Sequence, residues 1–450
     1  MNKMKDIPVR EIIHTIVDRI EKDGGFSHLL INHEVKRHKL SDKDKRLLTN
    51  VVYGTIQHKL TLDYYLSSFI QAEKVDGWVL NLLRIAVYQM VYLDRIPNHA
   101  ILYDSVEIAK KKGHKGIASF VNGVLRNIQR KGLVNLSDIK DETERLSVES
   151  SHPKWLISYW KRQYGEEITK GILTMNSQEK PQSLRIQPLR TNREKIIKYL
   201  EKHEIKANKS LLSSQGIIIE NGNALETRLI EEGYVTIQDQ SSMLVSEMMD
   251  LSKGMNVLDA CSAPGGKATH IAELLENTGE VHAYDIHKNK IKLIKENAKR
   301  LGLTNITVKQ SDARKLTEIY EEDTFDRILL DVPCSGLGVI RSKPDIKYTK
   351  TKSDINQLSK VQDDIIFSSS PLLKKGGKLI YSTCTIAIEE NLDVIKNFIK
   401  KNEEFTVDQS FFEELPEGLK DSEGITDYGI QIFPQQFNTD GFFITRLVRQ

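Results

Sequence analysis

Cysteine occurs only three times in this 450-residue chain, and Cys261, Cys334 and Cys384 each stand among small or polar neighbours, in DACSAPGG, DVPCSG and YSTC. A thiol attacks as its thiolate, which at an ordinary pKa near ~8.5 is only a few per cent of the population at neutral pH. Chemistry at such a residue therefore needs a site that ionises it or holds its target close. A lone free cysteine is more often a small buried hydrophobe. The odd number, wide spacing and lack of any C-x-x-C pair argue against a disulfide framework and against a zinc site, so no metal is expected and the compartment is expected to be reducing and intracellular.

Asp331-Val-Pro-Cys334 sets a carboxylate and a thiol three residues apart, with a proline that stiffens the loop and removes an N–H donor. An amino-group methyltransferase would carry Asn or Asp, then Pro-Pro and an aromatic; here cysteine stands in the aromatic's place. The second thiol, in Tyr381-Ser-Thr-Cys384, would lie beside the first if the two segments end neighbouring strands. Two thiols so placed favour chemistry over packing.

The run Cys261, Ser262, Ala263, Pro264, Gly265, Gly266, Lys267 lies between a strand-like and a helix-like segment. There small residues let the backbone approach a ligand, and a helix start favours negative charge. It is not a Walker loop, because Cys261 replaces the early glycine and Ala268 the Ser or Thr that would hold magnesium; nor is it a strict G-x-G-x-x-G. Asp285 follows Gly265 by 20 residues, where a carboxylate accepts hydrogen bonds from ribose hydroxyls, although a plain strand-end carboxylate would look the same. Asp312 is placed to meet an adenine edge or, equally, to cap a helix.

The elements that must position these residues are legible in the hydrophobic rhythm. From Gly254 onward short apolar strands alternate with amphipathic helices: NVLDAC, KATHIAELLE, GEVHAYD, KNKIKLIKENAKRLG, ITVKQSD, FDRILLDVPC and GKLIYSTC. This predicts an open, mostly parallel α/β sheet with its ligand outside the carboxyl ends of the strands. All three cysteines fall at such ends. Residues 7 to 132 read as helical, with Leu80, Leu83, Val87 and Met90 at helical spacing and Ser41 followed by Asp44 as a capping signal. The expected division is a helical domain over 1–132, a polar, acidic linker over 133–152, a small α/β module over 153–235 and the catalytic sheet over 236–450.

Charge is unevenly shared. Residues 1 to 132 carry 22 Lys and Arg against 14 Asp and Glu, while residues 133 to 450 carry 43 against 48. A helical part at +8 joined to a remainder at −5 suggests that the former faces an anionic partner, nucleic acid first, although a solvated basic face would also account for it. Lys110, Lys111, Lys112, Lys115 and Arg126 form the cluster of interest. The most apolar stretch, Trp78 to Leu93, contains Arg84 and falls short of the roughly 20 residues a membrane span needs. The charged start MNKMKDIPVREIIHTIV has no apolar core of a secretory signal. A cytoplasmic, membrane-free monomer is expected.

DACSAPGGKATH, DVPCSG and YSTC, in this order, resemble the motifs of bacterial small-subunit ribosomal RNA cytosine-C5 methyltransferases of the RsmB (Sun) type. YGTIQHKLTLD, LRIAVYQMVYL, IPNHA and FVNGVLRN resemble the NusB-like helical domain of that branch, and VTIQDQSS matches the segment before its cofactor loop. Ser262 stands where Ala is usual, Ala268 replaces a Thr, and Gln187 replaces an Asn of the small module. The resemblance implies an all-α NusB-like RNA-binding domain, a small α/β module and a Rossmann-like methyltransferase domain that uses S-adenosylmethionine. It implies Cys384 as the nucleophile that adds to cytosine C6, Cys334 assisting proton removal and release, and Asp331 hydrogen-bonding the base. Residues 261 to 267 would wrap the methionine part of the cofactor, Asp285 its ribose and Asp312 its adenine, with Asp331 alongside and Lys267 in an electrostatic role. Alternatives are the same chemistry on transfer RNA or another ribosomal site, and a non-catalytic RNA-binding factor sharing the helical domain.

Overall fold

The computed structural model describes residues 7–450; the first six, which open the charged stretch read as lacking a leader, lie outside the described residues. The chain forms two compact units, one running to Ser177 and including Ser342–Thr349, the other comprising Gln178–Arg341 and Lys350–Gln450.

The first unit is built from α1 (Val9–Asp23), α2 (Ser27–His38), α3 (Asp42–Gln57), α4 (Lys59–Ser67), α5 (Gly77–Tyr92), α6 (Asn98–Lys112), α7 (Lys115–Lys131), α8 (Glu142–Ser150) and α9 (Lys154–Asn176). Apolar residues on nearly every side of α5, among them Val79, Leu82, Leu83, Ala86 and Val87, are buried, which makes it the central helix. Arg84, whose charge spoke against a membrane span, holds Asp63 through bonds of 2.6 and 2.8 Å. Ser41 caps α3 as its spacing predicts, accepting the Asp44 N–H at 3.2 Å. Among the described residues no helix is long and apolar enough to cross a membrane.

Two segments at the expected boundaries are helical. The segment 133–152, read as a linker, contains α8, capped by Asp141, which accepts the Glu144 N–H at 2.6 Å. Residues 153 to 177, read as the start of the small module, form α9 of the helical unit, with Trp160 fully buried. Leu146 and Val148 are the only large apolar residues of α8, so its polar sequence carries little helical periodicity.

The second unit opens with β1 (Ser183–Ile186), α10 (Arg193–Lys202), β2 (Lys206–Lys209), β3 (Gly216–Asn221) and β4 (Val235–Ile237), an antiparallel sheet in the order β2-β3-β1-β4. After α11 (Gln240–Glu247) come β5 (Asn256–Asp259), α12 (Gly266–Leu274), β6 (Glu280–Asp285), α13 (Lys288–Leu301), β7 (Ile306–Gln310) and β8 (Phe325–Asp331). The chain then passes through the short α14 (Ile346–Thr349), which belongs to the helical unit, to α15 (Lys352–Ser369), β9 (Leu373–Thr383) and α16 (Leu392–Lys401). Strands β10 (Phe405–Val407), β11 (Ile425–Thr426), β12 (Gly429–Ile432) and β13 (Phe442–Arg449) complete a sheet of order β11-β12-β13-β9-β8-β5-β6-β7, with β10 beside β13. Each expected strand is present. The expected sheet is parallel from β7 to β9, and β13 adds an antiparallel flank to it. Val257 and Leu258 enter separate apolar clusters, as successive residues of a strand covered on both faces must. Strand order reverses at β5, so the carboxyl ends of β5 and β8 form the crevice where such sheets take ligands.

Candidate active site

The turn from β5 into α12 depends on small residues. Gly265 sits at φ +99, and a Cβ there would come within 3.0 to 3.2 Å of Ile294 on α13, so a side chain fits neither the backbone nor the space. The Ser262 N–H donates to the Tyr284 carbonyl at 2.7 Å, and the Ser262 hydroxyl to the Asp259 carbonyl at 2.9 Å. Asp285, at the end of β6, accepts N–H bonds from Ala263 at 3.3 Å and His287 at 2.8 Å, bracing the loop from the next strand. Asp312 takes the capping role that its position left open, accepting the Arg314 N–H at 3.0 Å and pairing with its guanidinium at 2.6 Å.

Beneath the loop, Asp259 is fully buried and neither carboxylate oxygen has a hydrogen-bond partner. Burial, reinforced by the charge of Asp331, pushes its pKa up to about 7. Burial and the carboxylates of Asp259, Asp331, Asp285 and Asp312 likewise hold the Cys261 thiol well above its ordinary value. Four carboxylates thus surround one strand-end crevice, and Cys261 stays a neutral thiol in its rim, unlike a nucleophile.

The other two cysteines are brought together by sheet register. Strands β8 and β9 run parallel with Asp331 opposite Ser382, which sets the two following turns side by side. The Cys334 and Cys384 Sγ atoms lie 3.4 Å apart. The hydrogen bond with Cys384, then burial, hold Cys334 well above the usual thiol range, so Cys334 keeps its proton. Asp331 is fixed from both sides: Oδ1 accepts from the Ser382 hydroxyl at 2.8 Å and Oδ2 from the Lys267 ammonium at 2.8 Å. Lys267 also lies 4.9 Å from the centre of the Phe442 ring. It therefore ties the turn after β5 to the end of β8, a contact its position in the loop did not reveal.

Sequence reading missed the residues that brace these turns. Arg185 on β1, fully buried, forms an ion pair with Glu273 of α12 at 2.9 Å and bonds the Gly266 carbonyl at 2.6 Å, the Thr269 hydroxyl at 3.0 Å and the Gln238 side chain. A charge inside the apolar strand SLRI was the available signal. Gln187 is buried, donating to the Leu301 carbonyl at 3.2 Å, so it serves as an internal brace. Glu390 and Asn391 also went unread, since nothing in IAIEENLDV marks them as reaching back to the cysteines.

The family model described as 16S rRNA methyltransferase RsmB/F matches residues 246–448; the NusB family matches 7–130, and the ferredoxin-like domain of RsmF/B-like methyltransferases matches 152–226. "Probable ribosomal RNA small subunit methyltransferase B" of Bacillus subtilis is 46% identical over 442 residues, 98% of each chain. Ribosomal RNA small subunit methyltransferase B of Proteus mirabilis is 34% identical over 94% of each. Among solved structures, that of PH0851 covers 99% of this chain and 100% of its own at 27% identity and a TM-score of 0.82. NSun6 from Pyrococcus horikoshii with SFG covers 66% of this chain and 98% of its own at 26% identity and a TM-score of 0.59. With the thiol pair, the carboxylate crevice and the helical unit all present, the chain belongs to the 16S rRNA methyltransferase RsmB/F family.

Proposed function

We propose that the protein methylates C5 of a cytosine in small-subunit ribosomal RNA in the cytoplasm, with S-adenosylmethionine as donor and a covalent bond from Cys384 to C6 of the base. The observation that carries this reading is the 3.4 Å thiol pair beside Asp331 at the ends of two neighbouring parallel strands. Cytosine C5 is a poor nucleophile until a thiolate adds to C6 and makes it an enamine carbon.

The crevice fits the donor. S-adenosylmethionine, when bound, supplies an electrophilic methyl on a sulfonium; it also carries an ammonium and ribose hydroxyls, and Asp285, Asp312 and Asp331 offer the complementary negative charge and acceptors. Residues 261 to 267 would hold its methionine part, Asp285 the ribose and, once Arg314 yields, Asp312 the adenine.

The chain's residues then divide the work. With Cys334 as the thiol of the pair, its S–H donated to Cys384 across 3.4 Å favours the thiolate there. As that thiolate adds to C6, Asp331 hydrogen-bonds the cytosine and delivers a proton to N3, with the Lys267 ammonium 2.8 Å from its carboxylate as the source of proton and charge. After methyl transfer the C5 proton must leave, so that the C6–S bond breaks and Cys384 departs as thiolate. Cys334, its own thiol proton passed to solvent while Cys384 is bonded to C6, takes the C5 proton as a thiolate and, again a thiol, hydrogen-bonds the departing Cys384 sulfur from 3.4 Å. N3 returns its proton through Asp331 to Lys267. The base must be unstacked for this, which favours a loop or single-stranded cytosine. The basic helical unit holds the surrounding RNA, mainly through phosphates.

Labelled S-adenosylmethionine, unmodified small-subunit RNA and mapping of 5-methylcytosine test the reaction; no transfer to any RNA sinks it. Cys384→Ala is expected to abolish both methylation and the denaturant-resistant protein–RNA adduct, and Cys334→Ala to accumulate that adduct. The opposite pattern would reverse the two roles.

A further inference from the structure

Glu390 and Asn391, in the turn between β9 and α16, are both buried, at 0 and 1% exposure. Glu390 Oε2 accepts the Ser335 backbone N–H at 2.8 Å and the Gln362 amide at 2.9 Å. The same amide donates to the Pro333 carbonyl at 2.9 Å. The residues on either side of Cys334 are therefore gripped by one carboxylate and one amide. Asn391 does the equivalent for the other thiol: its Oδ1 accepts the Thr383 hydroxyl at 2.6 Å and its Nδ2 donates to the Thr385 carbonyl at 3.1 Å. Thr383 and Thr385 flank Cys384. The hydroxyls of Ser335 and Thr385, 2.8 Å apart, join the two turns.

The pair is itself held: Tyr381 donates to the Glu390 carbonyl at 2.6 Å, and Asn391 to the Gln431 side chain at 2.9 Å. A buried carboxylate is costly, and one oxygen of Glu390 has no partner, so packing alone would favour an apolar residue here. Its hydrogen bonds all converge on the peptides around Cys334.

We propose that Glu390 and Asn391 are positioning residues that act on separate steps: Asn391 sets Cys384 for attack on C6, and Glu390, through Ser335 and Gln362, sets Cys334 for release of the product. This rests on the thiol roles proposed above. It requires the two neighbours in sequence to have opposite phenotypes. Glu390→Leu forms the covalent protein–RNA complex and releases it slowly; Asn391→Ala forms it slowly and accumulates none.

The test follows adduct formation and decay on denaturing gels, with full-length protein, small-subunit RNA and S-adenosylmethionine, beside Cys334→Ala and Cys384→Ala, after thermal melts show that each variant is folded. Displacement of a reacting group by about 1 Å can cost ~100-fold, so a loosened Cys334 turn should slow release at least ~10-fold. Glu390→Gln, which retains an acceptor for the Ser335 N–H, should recover most of the release rate, whereas loss of a merely structural residue would leave adduct formation and release falling together. Should Glu390→Leu fail to fold, Gln362→Leu, which frees the Pro333 carbonyl and takes one donor from Glu390 but leaves the Glu390–Ser335 bond in place, must show the same slow release. Wild-type release in the folded variants, or the same defect from Glu390→Leu and Asn391→Ala, overturns the proposal. If Cys334→Ala itself traps no adduct, the thiol roles fall first and this assignment falls with them.

Discussion

Asp259 shows how far burial can move a single carboxyl. Its carboxyl is buried with no partner, and burial and then Asp331 raise its pKa to about 7, against ~3.9 for an unfolded Asp. Between these values the folded protein binds a proton that the unfolded chain has lost. The stability this group contributes is therefore full below the unfolded pKa and is lost as pH rises through about 7. Asp259→Asn removes the titration. The variant is expected to melt above the wild type at pH 8, by up to ~4 kcal/mol, and the gap should close below pH 4. Thermal unfolding across that range checks this, and an offset independent of pH would refute it. The residue types at the centre of the site were legible because chemistry restricts them: two thiols and a carboxylate at strand ends have few other reasons to occur together. The partnerless state of Asp259, the link from Lys267 to Asp331 and the grip of Glu390 on Ser335 were not legible, since each depends on which residues the fold leaves unpaired or brings within reach.

At the scale of elements, what repeats was readable and what happens once was not. The alternation of apolar strand and amphipathic helix gave β5 through β9 because a sheet covered on both faces needs it. Helix α8 escaped because its polar sequence has no wide apolar stripe, although Asp141 and Glu144 had the spacing of a capping signal. Lys347 lies in SKPDIKYT, too short and polar to show any periodicity, yet α14 belongs to the helical unit and Lys347 is buried, donating to the Gln57 carbonyl at 2.9 Å. Burial draws its pKa well below the usual lysine value. The brace between β1 and α12 gives the prediction at this scale. Arg185 and Glu273 are both fully buried, so Arg185→Met leaves an unpaired carboxylate and frees the Gly266 carbonyl at the start of the helix that carries Lys267. Breaking such a pair costs about 3–5 kcal/mol. Weaker binding of S-adenosylmethionine is expected too, although Arg185 is assigned no contact with it. Glu273→Gln in the Arg185→Met background should restore part of the stability, because the buried charge is then gone. Denaturant melts and calorimetric titration of the cofactor separate the two effects, and an unchanged melt would show that the pair braces nothing.

For the molecule as a whole, the near-zero net charge conceals a division of labour. The helical part carries the excess of +8, and the structure sorts the cluster from which that excess was expected to act. Lys110 is bonded to Glu107 at 2.6 Å, Lys111 to Glu11 at 2.7 Å, and Lys112 lies 2.7 Å from a ring nitrogen of His14. Lys115, at the start of α7, and Arg126, bonded to the Asn122 side-chain oxygen, have no acidic partner among the described residues. A lysine already paired must give up its carboxylate before it can meet a phosphate, whereas an unpaired one need not. The unpaired cations should therefore dominate RNA binding. Each phosphate contact contributes about −0.9 to the slope of log affinity against log salt on duplex and about −0.7 on single strands. Lys115→Gln and Arg126→Gln should each reduce that slope by nearly one contact and weaken binding across RNA sequences alike. Lys110→Gln and Lys111→Gln should change it less, and none of the four should alter the adduct formed once RNA is saturating. Filter binding of the intact protein to small-subunit RNA over a salt series reads this directly. Equal slopes for wild type and for the Lys115→Gln, Arg126→Gln double variant would show that the basic excess is a solvated surface and that the RNA is held elsewhere.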